Sequence, residues 1–153
     1  MQSSGGAWVH GPKASQACRM AADYTVGVEE EYQLVDAVTG AMCSRARDVL
    51  STDWSEEIRP ELQETTLEIG TPICRSAAEL DRELRRLRFQ VAVTAAVDEL
   101  EIVAAGLHPF SPWVGQRCTE GERYRGIVER YGRIARDEHN FGMHVHIGVA
   151  AGR

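Results

Sequence analysis

The sequence predicts an α+β domain, with an antiparallel or mixed sheet and helices packed on one face. Three observations predict it. Several stretches alternate apolar and polar residues with the period of a strand. Two others repeat apolar residues at helical spacing, each opened by a Ser or Thr three residues before a Glu. The order along the chain is strand, strand, helix, strand, helix, strand, and three of the strands pair an apolar face with a face of acids or imidazoles. Helices would cover the apolar face and leave the polar face as the floor of a site.

The first strand is Tyr24 to Val35, YTVGVEEEYQLV. One face carries Tyr24, Val26, Val28, Glu30, Tyr32 and Leu34; the other carries Thr25, Gly27, Glu29, Glu31, Gln33 and Val35. Glu30 is the misfit on the apolar side and is expected to be structural. Glu29 and Glu31, two residues apart on one face, would lie about 7 Å apart. At an effective dielectric near 20 they repel by roughly 2 kcal/mol. A bound cation would reverse that sign, whereas water on an open face would merely tolerate it.

Asp36 to Gly40 is turn-like. Ala41 to Ser44 suggests a short return strand, Ser44 to Ser51 a helical turn or two, and Asp53 to Ser55 a loop. Ile58 to Cys74, IRPELQETTLEIGTPIC, reads as a second strand. Its alternation groups Leu67, Ile69, Thr71 and Ile73 on one face and Glu64, Thr66, Glu68 and Gly70 on the other. Glu61 falls on the wrong parity to join Glu64 and Glu68 unless the chain bends near Pro60.

Ser76 and Glu79 open a helix to about Glu99, with Leu80, Leu84, Leu87, Val91 and Ala95 as its buried stripe. Arg82, Arg85, Arg86 and Arg88 are interleaved with Glu79, Asp81 and Glu83, as on a solvated face. Glu101 to Gly106 is a short buried strand, followed by a loop holding His108. Thr119 and Glu122 open a second helix to about Asp137, with Tyr124, Ile127, Val128, Tyr131 and Ile134 as its stripe. The last strand, Phe141 to Val149, puts Met143, Val145, Ile147 and Val149 on one face. His144 and His146 share the other, flanked by Gly142 and Gly148, which would leave room above them.

The 153 residues suffice for one domain with a real core. A net charge of −6 argues against nucleic acid and anionic membranes as partners. No apolar run is long enough to span a bilayer. Residues 1–22 lack a secretory signal and read as a disordered leader. Cys18, Cys43, Cys74 and Cys118 show no close pair, so free thiols in a reducing cytoplasm are expected.

Together the polar faces offer Glu29, Glu31, Glu64, Glu68, His144 and His146. Oxygen-rich sets with one or two imidazoles suit Mg²⁺ or Mn²⁺, and such sites commonly await phosphate oxygens. No Walker-type glycine loop is present. His-x-His on a strand would also suit a metal-dependent amidohydrolase, and a non-catalytic fragment is a further alternative.

The strings TVGVEEEYQLVD, ELQETTLEIGTPIC, GLHPF, GERYRGIVERYG and FGMHVHIGV, in this order, closely resemble the carboxylate–amine ligase family, the glutamate–cysteine ligase type 2 group. The resemblance runs from about Asp23 to the end. It implies a glutamine-synthetase-like catalytic fold with an antiparallel sheet as active-site floor. It implies an ATP-dependent ligase acting on glutamate and an amine such as cysteine through an acyl phosphate, with Mg²⁺ or Mn²⁺.

By that resemblance Glu29 and Glu31 hold metal against the nucleotide phosphates, and Glu68 serves a second metal. His144 lies near the transferred phosphate as a metal ligand. Glu61 and Glu64 match acidic positions upstream of Glu68. Glu64 and His144 are the catalytic candidates, and Arg75 is a candidate substrate contact. The family's members are more than twice as long, so the resemblance also implies a truncated portion with little ligase activity. Its last strand would expose an unpaired edge, and poor solubility or a homo-oligomer is expected.

Overall fold

The computed structural model describes residues 24–50 and 56–149. The leader expected over 1–22 and the loop expected over 53–55 lie outside them. Nine elements follow in order: β1 (Tyr24–Asp36), α1 (Ala46–Leu50), β2 (Ile58–Pro60), β3 (Thr66–Gly70), α2 (Ala77–Ala96), β4 (Leu100–Val103), α3 (Glu122–Tyr131), α4 (Arg133–Asp137) and β5 (Met143–Val149).

The long strand β1 organises the sheet. One edge pairs with β3 through Glu29 to Gln33, and β2 lies outside β3. The other edge is shared end to end: β5 pairs with Tyr24 to Glu30, and β4 with Gln33 to Asp36. Every pairing is antiparallel. A thirteen-residue strand is long enough to serve two partners on one edge.

The even positions of β1 face the core. Tyr32 and Leu34 cluster there with Ile58, Leu67, Ile69 and Leu100. The cover comes from Leu87, Val91 and Ala95 of α2 and from Ala46, Val49 and Leu50 of α1. Burying a leucine of this kind stabilises the fold by about 2 kcal/mol. Helix α2 starts as expected, because the Ser76 hydroxyl accepts from the Glu79 N–H at 3.2 Å. The Glu79 carboxylate in turn accepts from the Arg75 N–H at 2.7 Å.

Glu30 lies on this apolar side, buried, and is neutralised there. The Arg88 guanidinium of α2 donates to both its oxygens, one at 2.9 Å, and the Tyr32 hydroxyl donates to one of them. The structural role expected for Glu30 is thus met by an arginine reaching down from the helix.

Three expectations are corrected. Ile58 to Cys74 is not one strand but a hairpin, β2 and β3, reversing through 61–65. The second long helix is two: Gly132, with φ of +57°, breaks it between α3 and α4. Thr119 does not cap that helix. Its hydroxyl donates to the Glu61 carbonyl instead, and Gly121 takes the cap position without a side-chain bond.

The stripe expected on that helix is only partly covered: Tyr124, Ile127 and Val128 are half-buried, whereas Tyr131 is exposed and Ile134 is 73% exposed. Helices α3 and α4 stand at the rim of the β2–β3 turn rather than over the apolar cluster. Tyr124 donates to the Pro60 carbonyl at 2.9 Å, and the Gln63 amide donates to the Ala135 carbonyl at 2.9 Å. Among the described residues, Cys43, Cys74 and Cys118 are free thiols, and no helix is long and apolar enough to cross a membrane.

Candidate functional site

The odd positions of β1 make the opposite face. The register fixes their neighbours: Glu31 stands across from Glu68 on β3, and Glu29 across from His144 on β5. His146 lies opposite Gly27, two pairs further along. Glu29, Glu31, Glu68, His144 and His146 therefore share one sheet face, as strand alternation requires.

The hairpin changes which other acid joins them. Arg59 opposes Glu68 across β2 and β3. Two residues on, the Glu61 N–H donates to the Thr66 carbonyl at 3.4 Å, so Glu61 follows Arg59 onto the same face. Glu64 does not join it. It lies buried in the turn, its carboxylate 3.0 Å from the Arg117 guanidinium. The expected placement of Glu64 beside Glu68 is corrected: counting parity through 61–65 fails because the chain reverses there.

Arg59 is the residue that sequence reading missed. Its Nη2 donates to Glu29 Oε1 at 3.0 Å and also to Glu68 Oε1. Its Nη1 donates to the Glu56 carbonyl at 2.9 Å. The signal was present, since an arginine two residues before Glu61 could share its face, but only a hairpin puts that face against Glu68. On the other side of Glu29, His146 Nε2 donates to Oε2 at 3.0 Å, with His144 Nδ1 3.7 Å from the same oxygen.

These contacts divide the acids electrostatically. Burial pushes Glu29 upward, but hydrogen bonds from His146 and Arg59 outweigh it and hold the carboxyl below its usual range. Burial pushes Glu68 the same way. There it prevails, because the charges of Glu61, Glu29 and Glu31 press on it against the pull of Arg59.

Two clefts flank this floor. One, of about 430 Å³, is lined by Glu31, Glu61, Gln63, His139 and His144 among others. The second, of about 500 Å³, is lined by Glu29, Arg59, Thr71 and His146 among others. Glu64 lines neither. The room expected beside the histidines is partly taken. A Cβ at Gly148 would clash with the Thr25 hydroxyl, and the Glu31 carboxylate accepts from the Gly142 N–H at 2.8 Å. His108 serves its loop, contacting the Gly40 carbonyl at 2.9 Å and accepting from the Ser111 N–H at 2.9 Å.

The donor types fit a hard divalent cation: carboxylate oxygens with imidazole nitrogen at the edge. Their present spacing does not close around one. Among the described residues no three His, Cys, Asp or Glu side chains are gathered to hold a metal ion. Arg59 pairs with Glu29 instead, and His146 hydrogen-bonds its other oxygen.

This fold is shared with solved ligases. A bifunctional glutathione synthetase from Pasteurella multocida superposes with a TM-score of 0.65 at 19% identity, over 84% of this chain and 18% of that one. A glutamate–cysteine ligase from Francisella tularensis, solved in complex with AMP, gives 0.63 at 17% identity, over 84% and 28%. The chain thus shares its fold with those two proteins.

The family follows from sequence. Residues 25–153 match the pattern described as Glutamate-cysteine ligase family 2, and the chain belongs to that family. A Chloroflexus aggregans protein named "Putative glutamate--cysteine ligase 2" is 43% identical over 129 residues, 82% of this chain and 33% of its own length. A Rubrobacter xylanophilus protein named "Putative glutamate--cysteine ligase 2-1" is 42% identical over 82% of this chain and 34% of its own. The chain spans about a third of the length of these relatives.

Proposed function

We propose that this chain supplies the floor of an ATP-dependent carboxylate–amine ligase. The substrates are L-glutamate and an amine such as cysteine. The γ-phosphoryl group of ATP passes to the side-chain carboxylate, ADP leaves, and the amine attacks the acyl carbon with loss of phosphate and a proton. The observation that carries the reading is the shared face of Glu29, Glu31, Glu68 and His144.

Glu29, Glu31, Glu68 and His144 would hold Mg²⁺ or Mn²⁺. When bound, such an ion neutralises phosphate oxygens, which is most of what phosphoryl transfer needs from a protein. The rigid antiparallel register keeps the donors at fixed separations, the positioning that this chemistry rewards. Glu31 is held further by the Gly142 N–H. Glu61, on the same face, takes the acidic place expected of Glu64. The two clefts leave the floor reachable from either side.

Alone, the chain has little ligase turnover in this reading, consistent with its spanning about a third of its relatives. A cytoplasmic location accords with its free thiols. The test uses an intact family member with alanine at the positions matching Glu29 or Glu68. Mg²⁺-dependent ADP formation from ATP, glutamate and cysteine should fall by at least about a hundredfold, the scale of losing one electrostatic group. Undiminished turnover in both variants would remove these residues from the reaction.

A further inference from the structure

We infer that Arg59 is a resident counter-ion of the acidic floor, and that a divalent cation can bind there only by displacing it. The inference rests on the reading of this face as a cation site and adds a residue that the reading does not need.

The β2–β3 register sets Arg59 directly across from Glu68, and its Nη2 reaches past that residue to Glu29 as well. One nitrogen therefore joins two of the carboxylates a cation would need. Glu68 is buried and surrounded by Glu29, Glu31 and Glu61, so an unneutralised floor would carry uncompensated charge. A guanidinium answers that cost permanently, since it does not lose its proton in a protein. It cannot be removed by titration, only moved.

The structure also provides somewhere to move it. The other terminal nitrogen of the same guanidinium, Nη1, donates to the Glu56 carbonyl, and both Arg59 and Glu56 line the second cleft. Gly70 beside it has no side chain, and a Cβ there would sit 3.5 Å from Nη1. A swing about this anchor would free Glu29 and Glu68 together while keeping the charge at the cleft wall.

The experiment compares Mn²⁺ binding to the 153-residue chain and to its Arg59→Met variant, reading free Mn²⁺ by electron paramagnetic resonance. The variant should bind about tenfold more tightly or better, because the competing cation is gone. Equal or weaker binding in the variant overturns the inference. A second measurement does not depend on the variant folding. In the unmodified chain, saturating Mg²⁺ should shift the Arg59 Nε–H resonance, and an unmoved resonance on binding overturns the inference equally.

Glu68→Gln separates this from the underlying reading. Binding that Glu68→Gln abolishes but Arg59→Met leaves unchanged defeats the role of Arg59 alone. No binding by any of the chains, or binding indifferent to Glu68→Gln, defeats both.

Discussion

Glu31 and Glu68 stand directly opposite one another on neighbouring antiparallel strands. Like charges in that relation destabilise a sheet, and here only Glu68 is answered by Arg59. Glu31→Gln keeps an oxygen for the Gly142 N–H and removes one of the charges. The variant should be more stable by about 0.5 kcal/mol in urea unfolding at neutral pH. The Glu68 carboxyl should also titrate at lower pH in a carboxyl-carbon NMR titration. A less stable variant would mean that the Glu31 charge is already compensated.

The pair on the opposite face predicts a pH dependence. Arg88, aided by the Tyr32 hydroxyl, holds the Glu30 carboxyl below its ordinary value of 4.5 despite burial. The folded-state value lies below the unfolded one. Its stabilisation is therefore complete above about pH 4.5 and fades as pH falls through the folded-state value. Arg88→Met should cost about 2 kcal/mol at pH 7, below the full penalty for a buried pair because Arg88 is half-exposed. At pH 3 the difference should shrink. Urea unfolding at both pH values checks it, and an equal loss at each would show that Arg88 acts through packing alone.

The core and the rim should respond differently to the same kind of truncation. Leu67 is fully buried in the cluster beneath α2, and Leu67→Ala should cost about 3 kcal/mol. Ile134 sits on the exposed stripe of α4, and Ile134→Ala should change stability by less than about 0.5 kcal/mol. Thermal unfolding of the two variants decides this, and a large loss from Ile134→Ala would mean that the stripe is covered in solution.

The exchange of Glu64 for Glu61 can be read out by cation binding. Glu61→Gln should weaken Mn²⁺ binding, because its charge acts on Glu68. Glu64→Gln should leave binding unchanged and register only as lost stability from the Arg117 pair. The opposite pattern would restore Glu64 to the floor.

Much of the floor was legible from local geometry. A strand turns successive side chains to opposite faces wherever it lies, so Glu29 with Glu31 and His144 with His146 could be grouped from spacing alone. Glu30 could be set apart from its neighbours by the same alternation. What spacing could not show was where the chain turns back. The turn through 61–65 is polar like the strand residues around it, and no glycine or Asn-Gly pair marks it. Parity counted across it therefore assigned Glu64 to the face that Glu61 occupies. The apolar stripe near Ile134 misled for a related reason: periodicity says which residues share a face, not whether anything covers it.

By itself the sequence determined the family, the α+β class and the pairing of acids and imidazoles on open strand faces, all properties of neighbouring residues along the chain. Only the tertiary structure decided that Glu68 faces Glu31, that Glu61 rather than Glu64 joins them, and that Arg59 sits between the carboxylates. Those relations join residues of different strands, and the hydrogen-bond register between the strands settles which side chains meet.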